Sequence, residues 1–266
     1  MKIETNHSRK KLIEELIKVC LKSSKVIMDI YSTNFDVERK SDSSPVTIAD
    51  KLSEEIILNG ISKLEPGIEV IAEESFYEEG RKDIQNETFF LVDPLDGTRE
   101  FIKKNGEFTI NIALIENKKP TLGLILVPTQ KSIYFSYNVT DSYNMNYSGE
   151  KRLIKVKNKN SEDNTLLYSR SSPSQRLNNF IKINNINKVI NCGSSLKFCL
   201  LASGHADSYL RFEPCYEWDT AAGHAILLGA GGDIINLDNT DFAYNKKESG
   251  YLNDSFCAYA NQKPII

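Results

Sequence analysis

The 266-residue sequence holds one tryptophan, three histidines and three methionines. It has almost no charge excess: 33 Lys and Arg stand against 36 Asp and Glu, a net charge of −3. Each shortage excludes something. A near-neutral chain lacks the basic stripe of a nonspecific nucleic-acid binder. His7, His205 and His224 are too few for a histidine-based zinc centre. The five cysteines (Cys20, Cys192, Cys199, Cys215 and Cys257) are odd in number and form no CxxC pair, which argues against a disulfide scaffold or zinc knuckle. Reduced, buried thiols are expected. No run approaches the roughly 18 apolar residues of a membrane span. The stretch after the charged start is interrupted by Glu14, Glu15 and Lys18, so no signal-peptide core forms. A cytoplasmic protein is expected, free or peripheral on the inner membrane face. The motifs GxxxxGK[ST], GxGxxG, GxSxG and HExxH are absent, which removes P-loop, dinucleotide-binding, serine-hydrolase and zincin readings.

What is present is ordinary in bulk: 40% hydrophobic and 26% charged residues, as in a globular protein. At roughly 150 residues per domain, one large unit or two joined halves fit. A chain of this size buries about three quarters of its unfolded surface and needs no metal merely to fold. Helical spacing marks Leu12 to Ile30, and again Thr47 to Gly60. Strands are expected at Glu69–Ala72, Phe89–Val92, Phe108–Ile115, Thr121–Val127 and Ser132–Tyr137. The charged residues 76–88 read as an exposed loop. Residues 138–165, rich in Asn, Ser, Lys and Tyr, read as a linker or irregular hairpin. Beyond it, strands at Leu166–Ser169, Val189–Ile190 and Ala206–Phe212 alternate with helices at Ser174–Ile183, Leu196–Ala202 and Asp219–Leu228. The expected class is α+β, as two halves, 1–140 and 141–266, of one compact catalytic unit.

The chemistry concentrates in Asp93-Pro94-Leu95-Asp96-Gly97-Thr98. Two carboxylates lie three apart at the end of a buried strand. Pro94 keeps Asp93 extended, and Gly97 lets the backbone turn and approach a ligand. A helix starting at Thr98 would offer free N–H groups to an anion beside those acids. Carboxylates repel a phosphate unless divalent cations lie between, and all-oxygen ligands suit Mg²⁺. The plainer alternative, Asp96 as a helix cap, explains neither Asp93 nor Glu73. Glu73 and Glu74 follow a strand as Asp93 does. Asp50 and Asp219 are further acids that could join the site. Leu228 to Gly232 is glycine-rich but ends a helix.

Asp93 to Thr98 and Glu217-Trp218-Asp219-Thr220-Ala221-Ala222-Gly223 resemble the two signatures of the lithium-sensitive, magnesium-dependent phosphatases, the superfamily of inositol monophosphatase and fructose-1,6-bisphosphatase. The extension Arg99-Glu100-Phe101-Ile102, then Asn105 to Thr109, is similar to the CysQ branch, the bacterial 3′(2′),5′-bisphosphate nucleotidases. So are Ser44 to Asp50 and Gly193-Ser194-Ser195-Leu196-Lys197-Phe198-Cys199. The resemblance implies the layered αβαβα sugar-phosphatase fold. It implies two or three Mg²⁺ ions held by Glu73, Asp93, the Leu95 carbonyl, Asp96 and Asp219, of which Glu73, Leu95, Asp96 and Asp219 also line the substrate site. Asp50 and Thr98, with Glu73, would form the catalytic set that positions and deprotonates water, and the Gly97 and Thr98 N–H groups would hold the scissile phosphate. The nucleophilic-Asp phosphatases use DxDxT, which this sequence lacks.

Substrate choice falls to the second half. A bisphosphate nucleotide carries a second anion away from the metals. Ser194, Lys197 and Arg211 are the candidates for it by the family pattern, with Arg170 in Ser169-Arg170-Ser171-Ser172. Relatives often carry His at the position of Ser172, and Ser or Gly at that of Ala72. The implied reaction is hydrolysis of adenosine 3′,5′-bisphosphate to AMP and phosphate within sulfur metabolism, with the sulfated analogue as a second substrate. An inositol or other sugar monophosphatase is the alternative. A noncatalytic nucleotide sensor would lack one of the implied ligands, and none is missing. Lithium inhibition is also implied. A monomer and a homodimer are both compatible with the sequence.

Overall fold

Successive residues of the long strands face opposite layers. Phe90 and Val92 enter one hydrophobic cluster, while Phe89 and Leu91 enter another. Ile110, Ile112 and Leu114 likewise separate from Ala113 and Ile115. A sheet covered on both faces needs such continuous apolar runs. The computed structural model describes residues 6–40, 42, 44–80, 84–158, 163–169 and 175–266.

The first sheet has seven strands among the described residues, in sequential order: β1 Glu69–Ala72, β2 Thr88–Asp96, β3 Thr109–Glu116, β4 Lys119–Val127, β5 Ser132–Ser136, β6 Ser142–Asn146 and β7 Lys151–Ile154. β1 and β2 are parallel and the rest antiparallel. The second sheet comprises β8 Thr165–Tyr168, β9 Lys188–Asn191, β10 Ser208–Arg211, β11 Asp233–Asn236 and β12 Phe256–Tyr259, in the spatial order β9-β8-β10-β12-β11.

The helices are α1 Asn6–Tyr31, α2 Ile48–Leu64, α3 Glu73–Glu79, α4 Thr98–Ile102, α5 Gln175–Ile183, α6 Leu196–Ala202 and α7 Ala221–Ala230. α1 and α2 cover one face of the first sheet through Leu12, Leu16, Ile27, Ile57 and Ile61. α6 and α7 lie between the sheets, where Phe198, Ile226 and Leu227 share a cluster with Leu91 and Tyr209. Leu177 and Phe180 of α5 cap the outer face of the second sheet. The layers therefore run αβαβα, as expected. Each fully buried Ile, Leu or Phe contributes about 1.5–3 kcal/mol before entropy is charged against it.

Two readings change. Residues 76–79, expected in a loop, belong to α3. The Glu54 carboxylate of α2 accepts the backbone N–H groups of Glu74 (2.8 Å) and Ser75 (2.7 Å). A partner remote in sequence thus supplies the first-turn acceptors that a local cap would provide. β2 also runs to Asp96 instead of stopping at Val92. A register shift between Asp93 and Asp96 absorbs Pro94, which has no N–H to donate. Within 138–165, the β6–β7 pair is an antiparallel hairpin that widens the first sheet. Ser169 is described; Arg170, Ser171, Ser172 and Ser174 lie outside the described residues.

Candidate active site

Parallel pairing of β1 with β2 matches Ala72 to Val92. The next residues, Glu73 and Asp93, therefore leave neighbouring strand ends side by side. The register shift after Asp93 replaces strict strand alternation, and Asp96 bears electrostatically on the Asp93 carboxyl. Ser53 Oγ donates to the Pro94 carbonyl at 2.7 Å, tying α2 to this corner. Gly97 follows with φ +93, and a Cβ there would meet the Glu107 carbonyl at 3.0 Å and Ser194 Cβ at 3.2 Å. Only glycine takes that backbone without strain while letting the second-half loop come so close. α4 then begins at Thr98. Gly97 occupies the cap position with no side-chain bond, so Asp96 is not a helix cap.

Asp50 stands at the third position of α2. Its Oδ2 accepts the Thr47 N–H (2.8 Å) and hydroxyl (2.7 Å), and its Oδ1 accepts the Thr98 hydroxyl at 3.0 Å. The sequence-expected pair is thus in direct contact, 48 residues apart in the chain. Asp93 Oδ1 accepts the Leu95 N–H at 3.0 Å. Asp219 ends the short turn Glu217–Asp219 that packs against β2 and β3.

Burial raises the carboxyls of Asp50, Glu73, Asp93 and Asp219. Asp93 lies well above the carboxylate range, first through burial and then through Glu73, Asp96 and Asp219. Asp219 is pushed up to about 8 by burial and Asp96, against the opposing Arg211. Burial and Asp50 also raise Glu73, against Lys40. Hard oxygen donors crowded with unbalanced negative charge fit a divalent cation. Among the described residues, no three His, Cys, Asp or Glu side chains are already drawn together to hold an ion. Lys40 Nζ instead sits on Glu73 (2.6 Å) and Glu74 (2.7 Å).

A pH dependence follows. Glu74, by burial and Glu73, is also pushed up to about 8. Unfolded, these acids titrate near 4. The folded form therefore holds the extra protons, and their contribution is complete below about pH 4 and lost as pH rises through 8. In chelator, Tm should fall between pH 5 and 9. Stabilisation by added Mg²⁺ should grow over the same interval, because ligands must be deprotonated. A chelator Tm that climbs with pH would contradict this charge arrangement.

The second half meets the site at residues 192–197. The Gly193 N–H donates to Glu107 Oε2 at 2.7 Å. Ser194, at φ +46, contacts Gly97. Lys197 is 2% exposed. Its ammonium donates to the carbonyls of Cys192 (3.1 Å) and Ser194 (2.7 Å) and lies 5.0 Å from the Tyr209 ring centroid. Burial lowers its proton affinity, with Asp96 opposing. Arg211 donates to the carbonyls of Glu213 and Pro214. Thus Lys197 grips the loop that carries Ser194, and Arg211 bears electrostatically on Asp219.

Sequence reasoning missed Lys40, Glu54 and Asn111, and gave no role to Thr109 and Ser195, although both stand in the segments similar to the CysQ branch. Lys40 and Glu54 carry no local motif. Asn111 alternates with apolar neighbours inside a strand buried on both faces, and that was the signal available for it.

The fold and this constellation define a sugar-phosphatase architecture, and the chain belongs to the inositol monophosphatase family, whose model matches residues 8–263. Members of this family are metal-dependent phosphatases, generally using Mg²⁺. Among particular relatives, the 3′(2′),5′-bisphosphate nucleotidase CysQ of Salmonella typhimurium is 39% identical, over 92% of this chain and 98% of that protein. The nucleotidase of the same name from Buchnera aphidicola is 36% identical over 96% of each. The crystal structure of CysQ from Bacteroides thetaiotaomicron superposes with a TM-score of 0.80 at 32% identity, covering 98% of this chain and all of that one. Among the described residues, no helix is long and apolar enough to cross a membrane.

Proposed function

We propose that this chain is a Mg²⁺-dependent phosphatase that removes the 3′-phosphate of adenosine 3′,5′-bisphosphate, giving AMP and inorganic phosphate. The observation that carries the reading is the Asp50–Thr98 hydrogen bond beside Glu73, Asp93, Asp96 and Asp219, in a chain aligned end to end with nucleotidases. Glu73, Asp93, the Leu95 carbonyl, Asp96 and Asp219 would hold two or three Mg²⁺ ions. Bound Mg²⁺ supplies an acidified water and offsets charge on the phosphate.

The protein's own groups do the rest. Thr98 donates its hydroxyl hydrogen to Asp50, leaving its oxygen lone pairs free to accept from a water. Asp50, its other oxygen saturated by Thr47, receives the proton through Thr98. The Gly97 and Thr98 N–H groups hold the scissile phosphate. The loop at Ser194, backed by Lys197, and Arg211 would receive the second phosphate, with Arg170 as a further candidate. The reaction takes place in the cytoplasm, free or at the inner membrane face, by a monomer or homodimer in which the halves 1–140 and 141–266 of each chain form one compact catalytic unit. The sulfated nucleotide is a second substrate.

The test is phosphate release from adenosine 3′,5′-bisphosphate and from inositol 1-phosphate at equal concentration, with Mg²⁺ and with chelator. A chelator-sensitive preference for the nucleotide is expected. Preference for the inositol ester would keep the metal site and overturn the second-half assignment. Lys197→Ala should raise KM for the bisphosphate several-fold more than for a monophosphate, by loosening the Cys192–Ser194 carbonyls it holds. Equal changes for both substrates would remove Lys197 from second-phosphate recognition.

A further inference from the structure

Asp96 is reached by a directional chain of buried polar groups. Its Oδ2 accepts the Ser195 backbone N–H at 2.5 Å and the Asn111 Nδ2 at 3.4 Å. The Ser195 hydroxyl donates to Asn111 Oδ1 at 2.7 Å. That spends the only hydrogen Ser195 Oγ has, so at the 2.7 Å contact with Thr109 the threonine hydroxyl must donate. The order is Thr109 to Ser195 to Asn111 to Asp96. Thr109, Asn111 and Ser195 are each at most 2% exposed, so water is kept from the Thr109–Ser195 and Ser195–Asn111 bonds and those polar atoms depend on their partners.

The arrangement settles which way the Asn111 amide faces, and it holds Asp96 by one oxygen only. Ser195 belongs to the second half, and its neighbour Ser194 lies so near Gly97, next to Asp96, that a Cβ on Gly97 would meet it at 3.2 Å. The loop assigned above to substrate recognition is therefore bonded directly to a carboxylate assigned above to the metals.

We propose that Asn111 and Ser195 are positioning residues for Asp96, with Thr109 setting their hydrogen-bond order, so that the second-half loop tunes the ion affinity of the first-half site. This rests on the assignment of Asp96 as a metal ligand. Groups that orient metal ligands typically change affinity by 10- to 100-fold when removed. Ion binding at the first-half site and nucleotide binding at this loop are then reciprocally coupled.

The experiment is calorimetric titration of the whole, nucleotide-free protein with Mg²⁺, on wild type, Asn111→Ala, Thr109→Val and Thr109→Ser, with Tm in chelator measured alongside. Asn111→Ala should weaken binding about 10-fold or more, and Thr109→Val by a few-fold, while Thr109→Ser, which keeps the hydroxyl, should match wild type. Turnover of Asn111→Ala should recover at high Mg²⁺, because the defect is affinity. Thr109→Val keeps the side-chain shape and so tests the relay even if Asn111→Ala fails to fold. Folded variants with Mg²⁺ affinities within twofold of wild type would overturn the positioning role and leave the proposed function standing. A wild-type protein that binds no Mg²⁺ would overturn both.

Discussion

Asp93→Asn should lower turnover by about 100-fold or more while the fold persists. Metal stabilisation of a phosphoryl transition state is worth several kcal/mol, and each 1.4 kcal/mol is tenfold in rate. Asparagine keeps the volume of a side chain that is 1% exposed, and its amide oxygen can still accept the Leu95 N–H. What it loses is the ability to present a negative charge to a cation beside Glu73, Asp96 and Asp219. In chelator near pH 8 the variant should melt at or above the wild-type temperature, since a buried carboxyl that folding must either protonate or hold charged beside other acids is gone. The measurements are phosphate release across a Mg²⁺ titration and thermal melting. Near wild-type turnover at saturating Mg²⁺ would sink the assignment of Asp93 to the metals.

Asp50→Asn should also be severe, through a different step. General-base assistance contributes about 10²–10⁴ in rate. The amide cannot take the proton that Thr98 relays, yet Asp50 lies outside the proposed metal set, so Mg²⁺ affinity should stay within a few-fold of wild type. Asp50 also closes a capping box with Thr47 at the start of α2. Turning one acceptor into an NH₂ group there should cost about 1 kcal/mol of stability. Comparing kcat with the calorimetric Mg²⁺ constant separates the two variants: Asp93→Asn should lose both, Asp50→Asn only kcat. A kcat within a few-fold of wild type would remove Asp50 from the proton path.

Much of this architecture is legible from pattern. The continuous apolar runs of β3 and β4 announce a sheet covered on both faces, and the period of Leu12, Leu16 and Cys20 announces the helix that covers it. Asp93 and Asp96 stand out because two acids at the end of such a strand need a reason. α3 was not legible, because its first turn borrows the Glu54 carboxylate from α2. Lys40 reads as one of many surface lysines, yet its side chain is 4% exposed between Glu73 and Glu74. Burial moves an ordinary charge into the site, and no local signal in the sequence records burial.

Residue types and spacings alone indicated a layered α+β pattern and the identity of the acids. Those follow from residue type and short-range spacing, which act through propensity and period. Tertiary structure decided which acids meet. The parallel register of β1 and β2 sets Glu73 beside Asp93, the register shift at Pro94 aligns Asp96, and the Thr98 hydroxyl reaches Asp50 across 48 residues. It also turned Lys197 inward onto carbonyls and joined Asn111 to Ser195. Such contacts depend on how separate elements pack and on which polar groups must be satisfied once water is gone, and neither is encoded at one place in the chain.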